Sequence, residues 1–149
     1  MRAILALKRS IVSAGVVLAA AGSLAAQVFF SLDDLDKAMK AVGRNVSLAN
    51  AAIASSDFEG AKVRVARARE QLSPTVSFWT NEKKADAVKL VKAATARLDV
   101  LDRALSANPV DAPAVAAAAK ELGAACQACH TVYREQDAAT KAFRLKRAP

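Results

Sequence analysis

The sequence contains few of the side chains that bind metals and cofactors. Its 149 residues include one histidine, two cysteines and two methionines, one of which is the initiator. A structural zinc site takes four nitrogen or sulfur ligands, so three such side chains are too few to build one. The five glycines and four prolines fall mainly between or at the ends of periodic segments. No motif that reads a nucleic-acid groove is present.

The rare residues lie together near the end of the chain. Cys126, Cys129 and His130 form the pentad C-x-x-C-H, which is the attachment motif for covalent c-type haem. Each thiol can add to a haem vinyl group, and the adjacent imidazole can ligate the iron from the proximal side. Positions three apart share a face of a helix, and the next residue is turned by about 100°. The motif predicts one covalent haem c.

Three other interpretations of the pentad were weighed. A redox C-x-x-C normally opens the helix of a βαβ unit, and no strand pattern precedes this one. A zinc site lacks its fourth ligand. A local disulfide would leave His130 without a role. Haem attachment is the interpretation that uses all three side chains.

The N-terminal 25 residues have the pattern of a secretory signal peptide. They begin with three cations, Arg2, Lys8 and Arg9. An apolar stretch over 11–21 and the small residues before Ala25 complete the pattern. The apolar stretch is short of the roughly 20 residues that a membrane span needs. We expect cleavage after Ala25 or Ala26, a single mature domain over 26–149 with no transmembrane span, and a periplasmic location.

The remaining sequence is rich in alanine and has the periodicity of helices. The spacing of apolar residues predicts four helices, at about 32–54, 57–72, 82–107 and 112–141. Residues from about 74 to 81 are expected to form a linker that carries Phe78 and Trp79. Four amphipathic helices with short connections predict an all-α fold, an antiparallel up-down-up-down four-helix bundle.

The first predicted helix carries an apolar stripe without a break. Its members alternate steps of three and four: Leu32, Leu35, Met39, Val42, Val46, Ala49 and Ile53. Gly43 interrupts the helix at a cost near 1 kcal/mol, which predicts a packing or haem-contact reason at that position. Met39 is the only methionine besides the initiator, and it lies centrally in the stripe.

These residues resemble the class II cytochromes c, which comprise cytochrome c′ and the low-spin cytochromes c-556. The segment from Cys126 to Arg134 matches C-x-x-C-H followed by x-x-[YF]-R close to the C-terminus, and Met39 to Asn45 resembles the M-K-x-x-G-R-N stretch of c-556. The resemblance covers essentially the whole mature chain. It implies Met39 as the sixth iron ligand, and Tyr133 and Arg134 as residues of the haem pocket. Many cytochromes c′ carry a basic residue one turn before the distal position, near a haem propionate, and Leu35 lies in that turn here.

Two functions follow from the resemblance. In the first, His130 and Met39 ligate a low-spin haem, and the protein carries single electrons in the periplasm. In the alternative, Met39 only packs, and a five-coordinate haem of the cytochrome c′ kind binds NO or CO. An enzyme that cleaves peroxide is not expected, because that chemistry needs a distal acid–base group and the only histidine is already the proximal ligand.

The chain has a formal net charge of +8. Cations cluster in two places: Lys62, Arg64, Arg67 and Arg69, and Lys141, Arg144, Lys146 and Arg147. One interpretation is solvated helix faces followed by a frayed basic tail. The other is a docking surface for an acidic redox partner or an anionic membrane face. The resemblance also allows a homodimer formed through the first two helices. Nucleic acid is not expected as a partner of an exported chain.

Overall fold

The computed structural model describes residues 30–146, and the predicted signal peptide (residues 1–25) and Arg147 lie outside them. The described chain is mainly helical, with four long helices, one short helix and one small hairpin. These elements are α1 (Leu32–Ala54), α2 (Phe58–Leu72), α3 (Thr75–Asn81), α4 (Ala85–Leu105), α5 (Ala112–Tyr133), β1 (Arg134–Gln136) and β2 (Phe143–Leu145). The prediction of a mainly helical fold with four long helices is confirmed.

Side-chain caps explain where three of the long helices begin. The Ser31 hydroxyl accepts a hydrogen bond from the Asp34 N–H, and the Asp34 carboxylate accepts one from the Ser31 N–H, so that α1 begins with a capping box. The Asp57 carboxylate caps α2 in the same position. The Asp111 carboxylate caps α5, and Pro113 lies in its first turn, where a missing N–H does no harm.

The long helices pack in two pairs, α1 with α2 and α4 with α5, and α2 also packs against α4. Two ion pairs lie at the α2–α4 and α4–α5 contacts. Arg69 of α2 pairs with Asp99 of α4, and Arg97 of α4 pairs with Glu121 of α5. Asp86 at the start of α4 bonds the residue that ends α5, Tyr133. Helices α4 and α5 are therefore antiparallel.

The core is built from leucine, valine and many alanines. Its largest fully buried side chains include Leu98, Leu101, Leu105, Leu122, Val65 and Val115. The predicted stripe of α1 is only partly buried, because Leu35, Val42 and Ala49 are buried whereas the side chain of Leu32 is 55% exposed. Alanines such as Ala61, Ala68 and Ala87 occupy the other buried positions, and small side chains of this kind allow close approach of the helices.

The predicted linker over residues 74–81 is wrong in its secondary structure. Residues from Thr75 to Asn81 form α3, which packs mainly against α4. The buried Thr75 hydroxyl donates a hydrogen bond to the Leu72 carbonyl (2.7 Å), and Phe78 and Trp79 are buried in the core. A helix of two turns is too short to show a periodic pattern, so packing of its two aromatic rings determines its structure.

The predicted end of the last helix at residue 141 is also wrong. Helix α5 stops at Tyr133, and Arg134 already has extended backbone angles. Strands β1 and β2 then pair in an antiparallel hairpin in place of the expected frayed basic tail. The Arg144 guanidinium bonds Glu135 (2.7 Å) and Asp137 (3.3 Å), so part of the cationic cluster is paired within the hairpin.

The third long helix is shorter than predicted at both ends. It was expected over 82–107 and spans Ala85–Leu105. Lys83 has a positive φ of 56°, which a helix cannot include, and Ser106 is the C-cap. No helix within residues 30–146 has the length and apolar character that crossing a bilayer requires.

Candidate functional site

The two cysteines lie in the second half of α5. Cys126 and Cys129 are both free thiols, both partly buried, and both pack against the hydrophobic core. Because α5 is helical through the whole motif, the thiols sit one turn apart on neighbouring positions of one face. Burial raises the pKa of the Cys126 thiol, and burial followed by the charges of Cys126 and Asp86 raises the pKa of Cys129. Both side chains are therefore neutral thiols at pH 7.

His130 follows directly and is also partly buried. Burial, and to a lesser degree the positive charge of Arg134, lowers the pKa of its imidazole. A lowered pKa favours the neutral ring, which is the form that ligates a metal. The only histidine in the chain can therefore provide the neutral imidazole that a proximal iron ligand requires.

Met39 lies in the first half of α1. Its side chain is partly buried and packs against the core between the buried Leu35 and Val42. Gly43 follows Met39 by one turn and so lies on the same face of the helix. A Cβ added at Gly43 would meet no atom within 4 Å. The described residues therefore supply no packing reason for this glycine, and a haem contact there stays a prediction.

Helix α5 has an open position of the same kind. Gly123 precedes Cys126 by one turn, and a Cβ added there would also meet nothing within 4 Å. Gly123, Cys126 and His130 are spaced by three and four residues, so they lie along one face of α5. Along that face, the open position at Gly123 is followed by the Cys126 thiol and then by the His130 imidazole.

The two open faces are the sides of α1 and α5 that are turned away from their packing partners. A cavity of about 420 Å³ between α1 and α2 is lined by Lys37 of α1 and by Glu70 and Gln71 of α2. Met39 is two residues beyond Lys37, which is about 200° further round the helix. On α5, Glu121 bonds Arg97 of α4.

Gly123 is two residues beyond Glu121, so it is turned about 200° away from the α4 side by the same geometry. Helices α1 and α5 themselves touch only sparsely. Met39 and Gly43 on α1, and Gly123, Cys126 and His130 on α5, are therefore the candidate residues of a haem site, with Gly43 and Gly123 both exposed.

Tyr133 closes the C-terminal end of α5 with two contacts. Its ring is buried, and its hydroxyl donates a hydrogen bond of 2.5 Å to the Asp86 carboxylate. Burial and this bond raise the pKa of Tyr133 to about 12, and the same bond lowers the pKa of Asp86. The ring of Trp79 lies 4.7 Å from the ring of Tyr133, centroid to centroid. Tyr133 therefore joins α5 to both α3 and α4.

Asp86 was not among the predicted site residues. Its position in the first turn of α4 suggests only a favourable interaction with the helix dipole. Its hydrogen-bond partner Tyr133 is 47 residues away in sequence, so no local sequence pattern indicates the contact. Trp79 was named as part of the expected linker, and its contact with Tyr133 depends on α3, which the sequence pattern did not predict.

Arg134 was predicted to border the haem pocket. The structure places it at the C-cap of α5, with its guanidinium carbon 4.3 Å from the centre of the Phe143 ring. Its side chain is exposed and contacts the hairpin. Arg134 is linked to the motif in two ways: its backbone N–H donates a hydrogen bond to the His130 carbonyl, and its positive charge contributes to the lowered pKa of the imidazole.

The donor set on these helices fits a haem. Two neutral thiols and one neutral imidazole on one helix suit a macrocycle that brings four nitrogen ligands of its own. In the described part of the chain, no three His, Cys, Asp or Glu side chains form a cluster that could hold a bare metal ion. Comparison of the chain with protein-family models, with curated proteins and with solved structures finds no match in any of the three.

Proposed function

We propose that this protein is an exported one-electron carrier with a covalent haem c, arranged as an antiparallel four-helix bundle around it. The observation that carries the proposal is the C-x-x-C-H motif on α5, whose thiols are free and whose face continues into open space at Gly123. The same motif in a βαβ unit would suggest thiol redox chemistry, but α4 is the element that precedes α5.

The residues of the motif have separate roles in this proposal. Cys126 and Cys129 each form a thioether bond, in which the sulfur bonds one vinyl carbon and the thiol proton moves to the other. His130 ligates the iron, and its second ring nitrogen donates a hydrogen bond that fixes the tautomer. Attachment at two adjacent turns of a packed helix holds the group rigidly, so that little rearranges during electron transfer.

Met39 determines which of two functions applies. A thioether at the sixth position would close the iron to external ligands and raise its reduction potential relative to a harder ligand. Met39 is suited to this role because it lies on the side of α1 that is turned from α2, and Gly43 leaves space one turn away. When bound, haem supplies the one-electron couple, and the chain supplies both axial ligands.

The second candidate function is reversible binding of NO or CO at a five-coordinate haem. The observation that favours it is the apolar surrounding of Met39, which lies between Leu35 and Val42 and packs against the core. If Met39 only packs there, the open position on the iron faces the apolar side chains around Met39. An apolar surrounding suits a small uncharged gas.

A periplasmic location and an acidic redox partner are part of the proposal. Haem attachment to cytochromes c takes place outside the cytoplasm, which agrees with the predicted signal peptide. Removal of the signal peptide with its three cations lowers the formal net charge from +8 to +5 (8 minus 3), which still favours association with a negatively charged partner. Several cations of α2 are already paired within the chain, for example Arg67 with Glu70 and Arg69 with Asp99. A homodimer through α1 and α2 is compatible with the positive charge of α2 only if the ion pairs of Arg67 and Arg69 remain formed in the dimer.

Optical spectroscopy of the exported, purified protein tests the proposal. Covalent attachment predicts a haem stain that survives denaturing electrophoresis and a pyridine haemochrome typical of two thioether bonds. Cys126→Ala and Cys129→Ala should each shift the haemochrome toward that of a single thioether, whereas Gln127→Ala, an exposed position between them, should not. A chain that is exported and folded but carries no covalent haem would refute the proposal.

The same spectra separate the two functions. A sharp reduced spectrum that CO leaves unchanged means six-coordinate low-spin iron and an electron carrier. Broad high-spin bands that shift when CO is added mean an open iron site and a gas-binding protein.

A further inference from the structure

Trp79 is held in a fixed position in the core. It is the only tryptophan in the chain, and its side chain is 4% exposed. Its ring contacts Phe78 edge-on at 5.0 Å and Tyr133 at 4.7 Å, both measured between ring centroids. Its backbone carbonyl accepts a hydrogen bond from the Lys84 N–H, which fixes the end of α3. Two ring contacts and one backbone hydrogen bond therefore fix the position of Trp79.

The indole nitrogen of Trp79 is buried and has no hydrogen-bond partner in the part of the chain that the structure describes. Among residues 30–146 it is the only buried side-chain nitrogen or oxygen in this condition. The other buried polar side chain, Thr75, donates to the Leu72 carbonyl. An indole N–H can only donate, and a buried donor without an acceptor is costly, whereas phenylalanine would fill similar space at no such cost. The unpaired N–H indicates an acceptor outside the described polypeptide.

The neighbours of Trp79 place this donor beside the haem motif. Tyr133, which contacts the indole, follows Cys129 by four residues and therefore lies on the same face of α5. The only hydrogen-bond acceptors on the periphery of a haem are its two propionate carboxylates. In the turn of α1 where many cytochromes c′ carry a basic residue near a propionate, this chain has the buried Leu35. A propionate in this protein needs a different partner.

We propose that the indole N–H of Trp79 donates a hydrogen bond to a propionate carboxylate of the haem. The inference rests on the proposed function, because it requires the haem. Trp79 acts here as a positioning residue that fixes the edge of the macrocycle between α3 and α5. Its dipole also offsets part of the propionate charge and so raises the reduction potential of the iron.

Nuclear magnetic resonance of the wild-type protein tests the bond directly. In the reduced, diamagnetic haem protein with ¹⁵N-labelled tryptophan, a single indole signal is expected, since the chain has one tryptophan. We expect slow exchange of this proton with solvent and a nuclear Overhauser effect from it to the propionate methylene protons. An indole proton that shows a cross-peak only to water, or exchanges rapidly, would overturn the inference.

Two variants provide a second measurement. Trp79→Phe removes the donor and keeps an aromatic ring, whereas Phe78→Leu perturbs an equally buried neighbour and keeps the donor. We expect Trp79→Phe to shift the propionate bending band in resonance Raman spectra and to move the reduction potential to a more negative value. Phe78→Leu should leave the band in place. Equal bands in wild type and Trp79→Phe would show that the acceptor is not a propionate.

The haem stain and pyridine haemochrome are recorded first on each sample. A chain without covalent haem refutes the proposed function itself. A chain with covalent haem whose indole proton has no propionate neighbour refutes only the role of Trp79. If Trp79→Phe fails to load haem, the wild-type spectrum still decides the question.

Discussion

The Tyr133 hydroxyl donates a hydrogen bond of 2.5 Å to the Asp86 carboxylate and so ties the last residue of α5 to the first turn of α4. The bond lies three residues beyond His130 and holds the end of the helix that carries the haem motif. The next residue, Arg134, starts the hairpin. Stability of the motif therefore depends on a contact outside the motif.

This contact predicts an unusual titration of the only tyrosine. The pKa of Tyr133 is raised to about 12, chiefly by burial and then by the bond to Asp86. We expect the ¹³Cζ resonance of Tyr133 to titrate near that value in the folded protein and near 10 in denaturant. Asp86→Asn should lower the pKa but leave it above 10, because burial is the larger cause. A folded-state pKa of 10 would contradict the structure.

The same shifts predict how stability depends on pH. Since the folded-state pKa of Tyr133 is higher than the unfolded value, its contribution is complete below pH 10 and is lost as the pH rises toward about 12. The pKa of Asp86 is lowered, so its contribution is present above the ordinary value of 3.8 and is lost as the pH falls below it. Denaturant melts at several pH values should lose this dependence in Tyr133→Phe. An unchanged profile in that variant would assign the dependence to other groups.

Leu98 is a core residue of α4, the helix that packs against both α2 and α5. Its side chain is 0% exposed. Leu98→Ala is expected to lower the free energy of unfolding by about 2–5 kcal/mol, because the cavity left in a packed core closes only partly. Leu32→Ala is a matched control, since that side chain is 55% exposed and the loss should stay within about 0.5 kcal/mol. Equal losses measured by denaturant titration would mean that the core is placed incorrectly.

Met39→Ala tests axial ligation. If the thioether ligates iron, the variant should change from low-spin to high-spin spectra and should acquire CO binding, with a more negative reduction potential. Val46→Ala removes a partly buried residue two turns further along α1 and should leave the spin state unchanged. Identical spectra of wild type and Met39→Ala would support the gas-binding function.

The sequence predicted α1 and α2 closely because caps and periodicity are local signals. Ser31 and Asp57 mark their starts, and three- and four-residue steps run along each helix. The motif residues were predicted by spacing alone, and the structure places all three on α5, with Cys126 and Cys129 on one face of that helix. Local sequence is sufficient where each signal lies within one or two turns of the feature it determines.

The parts that were missed depend on contacts between distant residues. Helix α3 forms because Phe78 and Trp79 are buried against neighbours that no short window reveals. Helix α5 ends at Tyr133 because strand β2, ten residues later, pairs with β1, and the Lys146 N–H bonds the Tyr133 carbonyl. The residues after Tyr133 include good helix formers, so the hairpin is a case in which tertiary contacts override propensity.

Gly43→Ala tests whether the haem lies beside α1, because the change in protein stability should have opposite signs in the two cases. In an exposed helix, Gly→Ala stabilises by up to about 1 kcal/mol, and nothing in the described chain obstructs a Cβ at Gly43. If the space beside Gly43 holds the haem, the added methyl group meets the macrocycle, and Gly43→Ala should destabilise the haem-loaded protein or weaken the Met39 ligation seen in its spectrum.

Ser47→Ala, at an exposed position one turn further along α1, is the matched control and should give a small gain in stability. Thermal melts followed in the haem absorption and by circular dichroism measure both variants. A gain near 1 kcal/mol for Gly43→Ala with an unchanged spectrum would show that the haem does not approach this face of α1. Met39, one turn away on the same face, would then be a packing residue, and the gas-binding function would be preferred.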